Sequence, residues 1–249
     1  MRLYATAADG SGTIAPAAPE GGAGALDGEA WAVWGGNILE ASPPTRAGGT
    51  VVAWSGWLGE RDANAGFLFP YDPDVWMGAG WRDLCARLGE VLPACEREGC
   101  RLALRPHARH VVSDVPTVLR LLGAFPSRAL GVVLDPAAML TAPMADDAGE
   151  HVGRILAALA GHERVWAVLL TGAERPAIAP DAMDHDDQLV PCPLTRGALD
   201  YHELREALAT NAGVLRDADL VLLDEDVAAQ AQLLEASGVL PSSSGVGGG

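Results

Sequence analysis

A carboxylate at the end of an apolar run is the first residue in this sequence equipped for chemistry. Asp135 closes the run Leu130–Asp135, and a buried carboxylate must find a partner or shift its pKa. It can move a proton or hold a cation; alternatively it caps a turn or pairs with Arg105. The run Asp181, Asp184, His185, Asp186 and Asp187 is dense in oxygen ligands. It could hold a hard cation, but it lacks the glycine turn and terminal Glu of a calcium loop, and a solvated acidic loop is the commoner case. Trp54, Trp57, Phe67, Phe69, Tyr71, Trp76 and Trp81 crowd one region, and six of the seven tryptophans precede residue 82. Flat rings present apolar faces to the C–H side of a sugar, and indole N–H groups bind hydroxyls. Packing of a long loop is the alternative reading. Arg175 and Arg196, in loops, could each grip a phosphate or carboxylate with two hydrogen bonds, or simply be solvated.

Composition removes several classes. All 17 basic residues are arginine, against 33 acidic ones, for a net charge of −16. Such a surface repels phosphate backbones, so nucleic acid is not an expected partner. The missing lysine excludes a Schiff-base nucleophile and a Walker-type phosphate loop. Cys85, Cys95, Cys100 and Cys192 fit neither a disulfide framework nor a CxxC zinc site, and read as free thiols in a reducing compartment. No apolar run reaches the ~18–20 residues of a membrane span, and Met1–Gly10 lacks the pattern of a signal peptide. The expectation is a cytoplasmic protein with no membrane partner.

The elements that must position Asp135 are short apolar runs: Val51–Gly56, Cys100–Pro106, Leu130–Asp135, Val165–Thr171 and Asp219–Asp224, with Arg2–Ala8 as a weaker sixth. Runs with little polar alternation are how strands covered on both faces read. Helical patterns lie between them. Trp81, Leu84, Cys85, Leu88, Val91, Leu92 and Cys95 recur at three- and four-residue steps. Ser113 can cap Asp114–Leu122, and Ala145–His162, Asp200–Asn211 and Val227–Ser237 follow. Alternating strands and helices imply parallel strands with helical crossovers, an α/β fold, either an open sheet or a closed barrel. Neither GxGxxG nor GxxxxGK[ST] follows a strand, which weakens the open sheet. Residues 1–239 are expected to form one domain, degenerate or poorly ordered in part of 1–50, and 240–249 a flexible Ser/Gly tail. Trp57–Gly80 is long for a connection and is a lid candidate.

One stretch, GCRLALRPHARHVVSDVPTVLRLLGAFPSRALGVVLDPAAM, resembles the middle of the sugar phosphate isomerase/epimerase family, the xylose isomerase-like TIM barrels. There a strand ending in Glu-Pro-His is followed by a helix and then a strand ending in Asp. PLTRGALDYHELREAL resembles the family's turn and helix before the last strand. DLVLLDED resembles that strand, and VVAWSGWLGE the fourth. The resemblance implies a (β/α)₈ barrel with its site at the C-terminal strand ends. It also implies a divalent cation (Mn, Co, Zn or Mg) held by Glu, Asp, His and Glu, which polarises substrate oxygens while carboxylates move a proton.

Position by position, the ligand set erodes. Arg105 stands where the family has Glu, and Ala138 where it has His. No His occupies the seventh strand, so two of the four expected ligands are absent. Asp135 is kept, and the final Glu falls at Asp224 or Glu225. A guanidinium cannot bind a cation; it would pair with Asp135 or orient an anionic substrate group. The resemblance thus implies an isomerase or epimerase of a small sugar or polyol. Asp135, His107 and Glu225 would be catalytic, and Arg105, Trp54, Trp57, His110 and Arg196 would contact substrate. Asp135 and Asp224 would bind metal, if a metal is bound. His107 and His110 could equally be solvated loop residues. The alternative is an inactive sugar-binding or scaffolding barrel that has lost its metal site; a metal-free lyase or hydrolase is a third reading. About six strands are legible where a barrel needs eight. Either the barrel is incomplete or upstream sequence supplies the first two units, and an incomplete barrel would expose edges that a second copy could cover, giving a homo-oligomer.

Overall fold

The computed structural model describes residues 2–6, 13–17, 30–40, 47–60, 68–176, 188–197 and 200–241. The expected tail from 242 onward, Phe67 and the acidic run 181–187 lie outside these residues. The strands are β1 (Leu3–Thr6), β2 (Thr13–Pro16), β3 (Ala32–Asn37), β4 (Thr50–Trp54), β5 (Arg101–Arg105), β6 (Leu130–Leu134), β7 (Val165–Leu169), β8 (Gly172–Glu174), β9 (Val190–Cys192) and β10 (Asp219–Leu223). Eight of them close a barrel in the order β1-β10-β7-β6-β5-β4-β3-β2. The six expected strands are all present. The expectation of an open ring is corrected: β2 and β3 complete it, with β2 running antiparallel to both neighbours. The barrel therefore has no free edge for a second copy to cover.

Strand alternation sorts the side chains. Val52, Ala103, Val133, Ala167 and Val221 point inward and pack together. Leu102, Leu104, Val132, Leu134, Leu220 and Leu222 point outward to the helices. Every residue of β4 and β6 is buried, which is why these strands read as unbroken apolar runs. A register shift between β6 and β7 marks a bulge, and there the Trp166 ring lies 2.4 Å from where a Cβ on Gly131 would stand. The bare glycine makes room for the indole, and the Arg101 guanidinium lies over the same ring at 4.8 Å.

The helices are α1 (Gly78–Glu98), α2 (Val115–Ala124), α3 (Ala148–Leu159), α4 (Tyr201–Thr210), α5 (Ala212–Asp217) and α6 (Val227–Ala236). Leu84, Leu88, Val91, Leu92 and Cys95 form the buried face of α1, which ends at Gly99 with φ 65°, a conformation that favours glycine. Asp114, not Ser113, caps α2. Its carboxylate accepts from the Thr117 N–H at 2.8 Å, and Thr117 Oγ1 accepts from the Asp114 N–H at 3.0 Å, a reciprocal box. The helix expected from Ala145 starts at Ala148, after a 3₁₀ turn over Ala142–Asp147. Beyond the C-terminal end of α2, Arg164 donates to the carbonyls of Leu122 and Phe125, where positive charge complements the helix dipole. All four cysteines are free thiols, and no described helix is long and apolar enough to cross a membrane.

Candidate functional site

The C-terminal ends of β4 to β7 gather the side chains with chemistry. Trp54 pairs in register with Arg105 across β4 and β5. Arg105 follows the inward-facing Ala103, and Asp135 follows the inward-facing Val133, so alternation sends both into the mouth. There they meet. Arg105 Nε and Nη2 donate to Asp135 Oδ2 at 3.1 and 2.5 Å. The Ala138 N–H and Thr171 Oγ1 each donate to Oδ1 at 3.2 Å. Arg105 is 1% exposed and Asp135 0%. Burial lowers the Arg105 pKa, and the Asp135 carboxylate opposes that shift. Arginine's intrinsic basicity keeps it charged in a protein.

Two indoles cover the pair. The Arg105 guanidinium lies 4.2 Å from the Trp54 ring and 5.3 Å from Trp34, and the two rings stack at 6.2 Å. Trp34 Nε1 donates to Thr6 Oγ1 at 2.9 Å, tying β3 to β1 inside the barrel. This arrangement fits no divalent cation at Asp135. Both carboxylate oxygens already accept hydrogen bonds, and the nearest charge is a guanidinium that would repel a metal ion. Among the described residues, no group of three or more His, Cys, Asp or Glu side chains could hold a metal.

Above Trp54 sits a second group. The segment after β5 brings His107 and His110 back over the mouth, with ring centroids 4.9 Å apart. The Arg109 N–H donates to His107 Nδ1 at 3.1 Å, so the neutral imidazole carries its proton on Nε2. Ser55 Oγ donates to the Val112 carbonyl at 3.1 Å and lies 3.5 Å from His110 Nδ1. Trp57 and Trp54 complete a ring of four aromatic groups around Phe69, which is fully buried. The described parts of the expected lid region, 57–60 and 68–80, reach the site: Phe69 lies inside, while Tyr71 and Trp76 are exposed, with Arg109 4.6 Å from the Tyr71 ring. Trp81 stands apart on α1 under Arg120.

The remaining expected residues lie on the rim. Asp224 is exposed and continues the outward alternation of Leu220 and Leu222, so alternation does not direct it to Asp135 as the shared-metal expectation requires. Glu225 pairs instead with Arg196 at 2.8 Å, and Arg196 also approaches Glu174 at 3.9 Å; all three are about half exposed. Arg175 donates to the Ala142 carbonyl. Sequence reasoning missed Thr171, Ser55, Trp34 and Gln188. Ser55 and Thr171 sit one and two residues past β4 and β7, at the ends of recognised apolar runs, and carried a positional signal. Gln188, whose side chain accepts from the Phe69 N–H at 2.9 Å and donates to the Phe69 carbonyl at 2.8 Å, carried none.

A family model described as xylose isomerase-like TIM barrel matches residues 46–215. Similar solved structures include a D-tagatose 3-epimerase-like protein, 15% identical with a TM-score of 0.45, covering 76% of this chain and 61% of that one. Another is 3-keto-D-glucoside 4-epimerase from E. coli, 16% identical with a TM-score of 0.38, covering 76% and 64%. A third is a xylose isomerase-like TIM barrel protein from Mycobacterium smegmatis in complex with magnesium, 14% identical with a TM-score of 0.42, covering 76% and 60%. The chain spans about 60% of the length of the first of these structures. No curated protein matches it.

Proposed function

Because the chain belongs to the xylose isomerase-like TIM barrel family, we propose that it binds a small sugar or polyol in the barrel mouth without cation-dependent turnover. The Arg105–Asp135 pair carries this reading. A guanidinium stands where the resemblance implies a liganding carboxylate, and it consumes the retained Asp. The walls that remain, Trp54, Trp57, His107 and His110, suit a hydroxylated ring: indole faces meet C–H groups, and ring nitrogens meet hydroxyls. Protein purified without chelator is expected to hold no stoichiometric Mn, Co, Zn or Mg. Adding those ions is expected to leave aldoses and ketoses unchanged by NMR. A bound metal lost on Asp135→Asn, or sugar interconversion on adding one, would overturn the reading.

A second reading, an isomerase or epimerase that works without that cation, is supported by the convergence of His107 and His110. His107 would move the proton, and Arg105 would orient an anionic group, with Asp135 and Glu225 as further acid/base candidates. Metal-independent interconversion of a sugar that is abolished in His107→Gln would favour it over binding alone.

A further inference from the structure

We propose that Cys95 and Cys100 form a reversible dithiol site: a peroxide converts the pair to a disulfide that ties the end of α1 to the start of β5, and a thiol reductant restores it. This site lies before β5, at the opposite end of that strand from Arg105, and is independent of the sugar-binding reading. The backbone brings the two residues together. Gly99, with φ 65°, turns the chain at the end of α1. Its N–H donates to the Glu96 carbonyl at 3.4 Å, and the Cys100 N–H donates to the Cys95 carbonyl at 3.0 Å. These are the two bonds of a Schellman motif, in which the residues joined by the longer loop commonly meet through their side chains. Here both of those residues are cysteines. Both are buried in the same core, and the Cys100 side chain is the hydrogen-bonding neighbour of the Cys95 thiol. A disulfide requires this convergence of two side chains. The other two thiols face different groups: Cys85 lies near Arg120, and Cys192 donates to the Arg196 carbonyl.

The oxidation takes two steps. One sulfur, as its thiolate, attacks a peroxide oxygen; the O–O bond breaks, water leaves and that sulfur becomes a sulfenic acid. The second sulfur then attacks the first, the S–O bond breaks, the S–S bond forms and a second water leaves. In sum the two thiols give up two electrons and two protons, and one hydrogen peroxide becomes two waters. Burial, and then the neighbouring Cys100, push the Cys95 thiol up to about 12 from 9.0. The closed pair therefore stays in the thiol form, which is the unreactive one. Access comes through the helix end. Glu96, Arg97, Glu98 and Gly99, the residues between the two cysteines, are all exposed. Pro93 lies inside α1 and has no N–H to give to the Gly89 carbonyl, so the hydrogen-bond ladder is interrupted just before Cys95. Local opening of the turns beyond that gap admits the oxidant.

The test exposes the folded native chain to dilute hydrogen peroxide. The peroxide is then removed, and the remaining thiols are blocked with a maleimide in acidic denaturant before digestion. Trypsin cuts after Arg87, Arg97 and Arg101, so the peptides Leu88–Arg97 and Glu98–Arg101 each carry one of the two cysteines and stay joined only through a disulfide. The expected result is that joined pair, lighter than the two free peptides by two hydrogen atoms. The thiol count falls from four per chain to two, and dithiothreitol reverses both changes. In Cys95→Ala the joined pair and the paired loss of thiols are expected to vanish. Pro93→Ala restores the missing helix bond and is expected to form the link several-fold more slowly. Four thiols retained by the native chain, or Cys95 and Cys100 oxidised singly without joining, would overturn the proposal. A rate unchanged in Pro93→Ala would overturn the route through the helix end.

Discussion

Arg105 and Asp135 depend on one another in the barrel. Arg105→Met would take the guanidinium away from a buried carboxylate, and Asp135→Leu would take the carboxylate away from a buried guanidinium. Each is expected to destabilise by about 3–5 kcal/mol in urea unfolding, and the double replacement by much less than the sum. Additive losses in the double variant would show that the two groups do not depend on one another. A second residue-level effect concerns Cys192. Burial, with Glu174 nearby, pushes its thiol up to about 12 from 9.0. The folded chain then keeps a proton that the unfolded chain releases, so the stability linked to this group is intact below pH 9 and falls as pH rises toward 12. The urea midpoint of native protein should therefore drop more steeply above pH 9 than that of Cys192→Ala. At this scale the site was legible where residue type and strand position coincided. Asp135 ended an apolar run, and Arg105 stood out because its charge opposed the family's. Gln188 was not legible, because its role is set by a partner 119 positions away that no local pattern marks.

Among the elements, six strands could be read because burial on both faces removes polar residues from them. β3 escaped because its two glycines and mixed burial erase that signature, and β2 because four residues carry too little pattern. The short β8–β9 hairpin, which leads the chain back past Gln188, was hidden for the same reason. α2 starts one residue later than the sequence pattern predicts, since Ser113 and Asp114 are both good caps and only geometry chooses between them. Asp114→Ala should lower stability by about 0.5–2 kcal/mol, while Ser113→Ala should cost less, as read by thermal melts. The β6–β7 bulge makes a sharper demand. A methyl at position 131 would overlap the Trp166 ring, so Gly131→Ala should destabilise by about 1–3 kcal/mol. Truncating the indole as well, in Gly131→Ala with Trp166→Ala, should remove that specific clash. A double variant that simply sums the two single losses would mean the overlap is not what position 131 resists.

For the whole molecule, 33 acidic groups against 17 arginines leave a net charge of −16, and this self-repulsion opposes the compact state. The exposed ion pairs, such as Arg196 with Glu225 and Arg154 with Glu150, contribute little individually. Raising NaCl from roughly 0.01 M to roughly 0.15 M shortens the screening length from about 30 Å to about 8 Å and should raise the melting temperature. A fall would mean that attractive pairs outweigh the net repulsion. The ring also has one seam with a consequence for synthesis. β1 zips onto β10, and Arg2 holds Asp219, 217 positions further along. β1 must wait for β10 to be made before the ring can close. Until then the nascent sheet has two raw borders that invite capture by a chaperone.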